Sequence, residues 1–73
     1  MKLLEIRDQL YENMESHLEN MCAYLATGEK NLFRYYAGKA DARRELLENL
    51  FKFDERYASK HIKNMWEIMD ENW

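Results

Sequence analysis

The strongest constraint on this chain is the near absence of residues that break helices. Its 73 residues contain no proline, and glycine occurs only as Gly28 and Gly38. Proline and glycine are the strongest punctuators of local structure, so the chain has few places to turn. Leu, Glu, Lys, Arg, Met and Ala, which carry the lowest helical cost, are abundant in the rest. The expectation is an all-α protein, a small helical hairpin or three-helix bundle, forming one domain over residues 1–73. A fold of this size buries only about 60% of its unfolded surface and tends to need a disulfide, a metal or a partner subunit. Cys22 is the only cysteine, so an internal disulfide is excluded.

The first helix is expected over residues 2–26. Leu3, Leu4, Arg7, Leu10, Tyr11, Met14, His17, Leu18, Met21, Cys22 and Leu25 recur at three- and four-residue steps, the period of one helical face. Glu5, Asp8, Glu12, Glu15 and Glu19 follow the same rhythm on another side. That acidic stripe reads as a solvated helix face. Imitation of a nucleic-acid backbone would call for more than a net charge of −3. Thr27-Gly28 supplies a left-handed terminator.

The last helix is expected over residues 55–72, with Asp54 as its N-cap. Ala58, His61, Ile62, Met65, Met69 and Trp73 form its apolar stripe, flanked by Tyr57, Trp66 and Ile68. The apolar phase through Leu46, Leu50, Phe53, Tyr57, His61, Met65 and Ile68 also runs without a slip, so one long helix over 42–72 is an alternative.

Between these elements lies KNLFRYYAGKADARR, Lys30 to Arg44, with five cations (Lys30, Arg34, Lys39, Arg43, Arg44) against the single anion Asp41. The segments on either side are acidic. A basic middle of this kind can close on the acidic arms, pair between copies, or meet an outside anion. If residues 30–53 formed one helix, Leu32, Tyr36, Leu46, Leu47 and Leu50 would share a face, and Lys39 and Arg43 would fall inside it. Burying those two cations would cost several kcal/mol each unless they were paired. The spacing therefore favours a short helix over 30–37, ended by Gly38 and followed by a second helix over 42–53 capped by Asp41. Alternatively, Tyr36, Lys39 and Arg43, with Lys30 and Arg34 nearby, line a groove for an anionic group.

Little in the sequence suggests catalysis. His17 and His61 lie on apolar faces, where a histidine is usually a packed residue with one satisfied nitrogen. Neither has a carboxylate three or four residues before it, as carboxylate-bridged metal sites require. Cys22, five residues from His17, lies about 140° away around the helix, so the two do not form a nucleophile–base pair. No phosphate-binding glycine loop, paired-cysteine motif or zinc-protease motif occurs. An enzyme is not expected, and neither is a cofactor or a metal site. The longest apolar run, Met21 to Ala26, is far short of the ~20 residues of a membrane span. The first residues, MKLLEIRDQ, carry charge too early for a secretory signal, which points to the cytoplasm.

Ten aromatic residues exceed what a core this small can cover. Tyr24, Tyr35, Phe33, Trp66 and Trp73 fit one core least well, and Phe33, Trp66 and Trp73 are expected at an interface. Aromatic, Met and Arg enrichment is typical of interfaces, so a protein partner or self-association as a homodimer is expected. The leading functional reading is a small non-enzymatic protein acting by protein–protein contact. Phages and other mobile elements often encode inhibitors or adaptors of this class, which occupy a surface of a larger host protein. The second reading is a binder of a small anionic ligand such as a nucleotide, or of nucleic acid. In both, the expected contact residues are Lys30, Arg34, Tyr35, Tyr36, Lys39, Arg43 and Arg44. Duplex DNA is the weakest form of the second reading, because the flanking acidic faces would repel its phosphates.

Overall fold

A computed structural model describes residues 2–51 and 59–73, and over these the chain is three helices: α1, Leu3–Ala26; α2, Lys30–Phe51; and α3, Lys60–Asn72. α1 and α2 form an antiparallel hairpin, and α3 lies across one of its faces. The principal extents are 39 × 22 × 16 Å.

α1 ends where the sequence places the terminator. Gly28 adopts φ +80°, the left-handed conformation that glycine enters without steric penalty. The Glu29 N–H then donates to the Tyr24 carbonyl at 2.9 Å, and the Gly28 N–H to the Leu25 carbonyl at 3.1 Å. This pair of bonds is a Schellman motif, and it satisfies two carbonyls that the helix end would leave open. One residue later the Glu29 carbonyl accepts from the Phe33 N–H at 2.9 Å, which opens α2. The turn is therefore tight, and α2 must fold straight back on α1.

α2 does not break at Gly38. It runs unbroken from Lys30 to Phe51, so the break expected between a helix over 30–37 and a second over 42–53 does not occur. The buried face of α2 is also not the leucine-rich one. The residues of α2 that enter the core are Phe33, Ala37, Ala40 and Leu47, with Phe51 packed at the margin. Their spacing of four, three, seven and four is a regular helical stripe. Leu32, Leu46 and Leu50 face outward instead, Leu50 at 63% exposure. Lys39 and Arg43 stay half-exposed, and no polar or charged residue among those described is fully buried.

The core fills the space between this stripe and Met14, Leu18 and Met21 of α1. Ala37 and Ala40 carry almost no side chain, so the two helix backbones can approach closely there. α3 closes the core with Ile62, Met65, Trp66 and Met69. Among the described residues, four of the eleven buried ones are methionines, which fill irregular gaps and specify packing loosely.

α3 starts later than expected. Ser59 is extended, at φ −65° and ψ 159°, and its hydroxyl accepts from the Ile62 N–H at 3.2 Å. An N-cap of this kind is worth about 1 kcal/mol. The extended Ser59 also rules out one continuous helix over 42–72. The expected cap at Asp54 and the stripe residues Phe53, Tyr57 and Ala58 lie outside the described residues. Among the described residues, no helix is long and apolar enough to cross a membrane.

Candidate functional site

The flanks of the hairpin differ sharply in charge. On α1, Ile6, Leu10, Asn13, His17, Asn20 and Tyr24 recur at steps of four, three, four, three and four, and none is charged. The acidic stripe Glu5 to Glu19 runs along a different flank, on the α3 side. His61 of α3 lies against it, with Nε2 3.4 Å from the Glu19 carboxylate. Ligand atoms of Glu15, Glu19 and His61 fall within 4.8 Å of one another there.

α2 is divided in the same way. Gly38, Asp41 and Arg44 face α3: Ala37, Gly38 and Asp41 line a cleft with Met69, Asp70 and Trp73, and the Arg44 guanidinium lies 4.8 Å from the Trp66 ring. At about 100° per residue, the opposite side of α2 carries Leu32, Tyr35, Lys39, Ala42, Arg43, Leu46, Asn49 and Leu50. This stripe contains two cations and no carboxylate.

The uncharged flank of α1 and the carboxylate-free flank of α2 meet at Tyr36. Its ring stacks on Tyr24 of α1 at 5.4 Å and 11°, meets Tyr35 edge-on at 5.1 Å, and lies 6.2 Å from His17. Lys39 places its Nζ 4.7 Å above the Tyr35 ring. An ammonium over an aromatic face at an exposed site gains about 0.5–1 kcal/mol. That contact holds the Lys39 chain across the face instead of leaving it free in solvent. Among the described residues, neither Lys39 nor Arg43 forms a salt bridge. His17 Nδ1 is shielded from solvent and has no hydrogen-bond partner. Burial first, then the charges of Arg43 and Lys39, hold its imidazole below the ordinary value of 6.5. At neutral pH it is an uncharged ring beside two cations.

The contact residues expected from sequence are therefore divided. Tyr35, Tyr36, Lys39 and Arg43 share the face opposite α3. Arg44 belongs to the other side, held between Trp66 and Glu48, whose carboxylate lies 3.8 Å from its Nε. Lys30 and Arg34 are exposed near the turn, away from the Lys39–Arg43 face. Two of the three rings expected at an interface are not available for one. Phe33 is 1% exposed at the centre of the hairpin, and Trp66 is 8% exposed beneath Arg44. Phe33 lies in register with Ala37 and Ala40, which is why it points inward. Trp73 keeps 64% exposure at the end of α3, on the opposite side of the molecule from Lys39.

Sequence reasoning missed two members of the face, His17 and Tyr24 of α1. The uncharged rhythm from Ile6 to Tyr24 was the signal that could have found them, since it stands out in a chain with fourteen acidic residues. No protein family, curated protein or solved structure matches the chain.

Proposed function

We propose that this protein is a non-enzymatic binding protein that works by protein–protein contact through the α1–α2 face opposite α3. One observation carries this reading. The unbroken α2 displays Leu32, Tyr35, Leu46 and Leu50 around Lys39 and Arg43, on a side that neither the core nor α3 uses. An apolar stripe with embedded cations is costly to leave facing water and natural to place against a partner. The acidic remainder of the surface then limits which partners can approach and in which orientation. Occupying the surface of a larger protein, as an inhibitor or adaptor does, is the corresponding activity. The unpaired thiol of Cys22 fits a cytoplasmic place of action.

A second reading is supported by the Tyr24–Tyr36–Tyr35 cluster, since stacked rings beside cations also bind bases and nucleotides. It leaves the exposed Leu32, Leu46 and Leu50 without a role.

A photo-crosslinking amino acid in place of Tyr35, compared with one in place of Glu12, tests the surface in the source cell. Specific protein adducts are expected from position 35 and not from position 12. They should disappear when Lys39→Glu and Arg43→Glu are added. Those reversals should leave helical content unchanged, because both side chains are half-exposed and neither forms a salt bridge among the described residues. Adducts from both positions alike, or adducts indifferent to the reversals, would refute the assignment of this face.

A further inference from the structure

We infer that the occupant of this face is an amphipathic helix of the partner, about five turns long, with apolar anchors at both ends and carboxylates in its central turn. This inference rests on the reading above and specifies the partner for the same surface.

Length is the first argument. Leu32 to Leu50 spans 18 rises of 1.5 Å, or about 27 Å. With neighbouring helix axes 8–10 Å apart, the face formed by the two helices is roughly 20 Å wide. Its area is then about 540 Å² on one side, or about 1,100 Å² for both partners, just above the ~1,000 Å² that a specific interface needs. A helix is the element that matches this shape, because it lays residues at three- and four-residue spacing along a two-helix valley. α3 does the same on the opposite side of the hairpin with Ile62, Met65, Trp66 and Met69.

Charge sets the chemistry at the centre. Lys39 and Arg43 are one turn apart, and like charges at that spacing destabilise a helix by a few tenths of a kcal/mol. Both would lose water under a docked partner, and an unpaired desolvated cation is expensive. The partner must therefore bring carboxylates to the centre of its helix. Its ends meet Leu32 and Tyr35 on one side and Leu46 and Leu50 on the other, which call for apolar side chains. A second copy docked symmetrically about this centre would set Lys39 and Arg43 against their own equivalents. A nucleic acid would satisfy the cations but would cover the leucines with phosphate.

Three synthetic 20-residue amphipathic peptides test the inference. They share leucine anchors and differ only in a central pair one turn apart: Glu–Glu, Gln–Gln or Lys–Lys. Binding of each labelled peptide to the full chain is followed by fluorescence anisotropy. The Glu–Glu peptide is expected to bind about tenfold more tightly than Gln–Gln, a difference of 1.4 kcal/mol, with Lys–Lys weakest. In the Lys39→Glu, Arg43→Glu variant the order should invert. Leu46→Asp should weaken all three. Equal affinity for the three peptides, an order unchanged by the charge reversal, or no binding by the Glu–Glu peptide up to about 1 mM would overturn the inference. So would sedimentation showing that a second copy already covers the face, or displacement of the Glu–Glu peptide by oligothymidylate. If the peptides fail while crosslinking from Tyr35 persists, the surface stands and the helix does not. If both fail, the proposed function falls as well.

Discussion

Replacing Gly38 with alanine tests the feature on which the candidate face depends, the continuity of α2. Gly38 lies inside the helix with no positive φ, and a Cβ built there meets nothing within 4 Å. The substitution adds a methyl group in open space and removes the entropy that glycine loses on folding. In a helix interior that difference is about 0.8–1.0 kcal/mol in favour of alanine. For a domain of this size about 1 kcal/mol corresponds to a rise of about 4–8 °C in melting temperature. Gly28→Ala is the matched control. At φ +80° an L side chain is strained by about 1–2 kcal/mol, so its melting temperature should fall by a comparable amount. Thermal and urea unfolding followed by far-UV circular dichroism would read both, with the urea slope expected to stay constant. A Gly38→Ala variant that melts below the parent would mean that the chain turns left-handed at residue 38. The stripe from Leu32 to Leu50 would then not exist as one face, and the proposed surface would be lost with it.

Neighbouring aromatics should respond very differently. Phe33→Ala should cost about 3–5 kcal/mol, most of the stability of a chain this short, and leave it largely unfolded by circular dichroism; Tyr35→Ala should melt close to the parent. A mild effect at Phe33 would show that the hairpin core is packed otherwise. Cys22 is half-buried, and burial, followed by the charge of Glu19, pushes its thiol pKa up. Labelling by a thiol reagent at neutral pH should be slow in the native state and fast in urea, and equal rates would contradict the packing of α1. The folded-state pKa of His17 lies below its unfolded value of 6.5. The unfolded chain therefore binds more protons between the two values, so the contribution of His17 to stability is complete above 6.5 and is lost as pH falls through the folded value. The parent should lose more stability on acidification below 6.5 than His17→Gln, measured by urea midpoint against pH. Parallel curves would remove the argument.

The helices themselves follow from local chemistry. α1, its stop at Thr27-Gly28 and the amphipathic pattern of α3 were all legible, because each depends on residues within a turn or two of one another. Where α3 begins was less so. Ser59 caps it by a hydroxyl contact to Ile62, and the sequence offers Asp54 as an equally good capping residue a few positions earlier.

The orientation of α2 could not be read from sequence alone. Its sequence carries two candidate core stripes, one richer in leucine and one built on Phe33, Ala37, Ala40 and Leu47. Hydrophobicity alone favours the first, and the expectation of a break at Gly38 came from trying to bury it without burying Lys39 and Arg43. Tertiary packing settles the conflict by rotating the helix. Exposing Leu32, Leu46 and Leu50 forfeits at most about 2 kcal/mol for each, and less where they stay partly covered. Burying two unpaired cations would cost several kcal/mol apiece. The alanines, which contribute little to a hydrophobic pattern, let the helices approach closely enough for Phe33 and Leu47 to fill the core. Composition and spacing determine that this chain forms helices and where the hairpin turns. Which side of α2 faces the core depends on the combined packing of three helices, and that packing leaves Lys39 and Arg43 on an open apolar face.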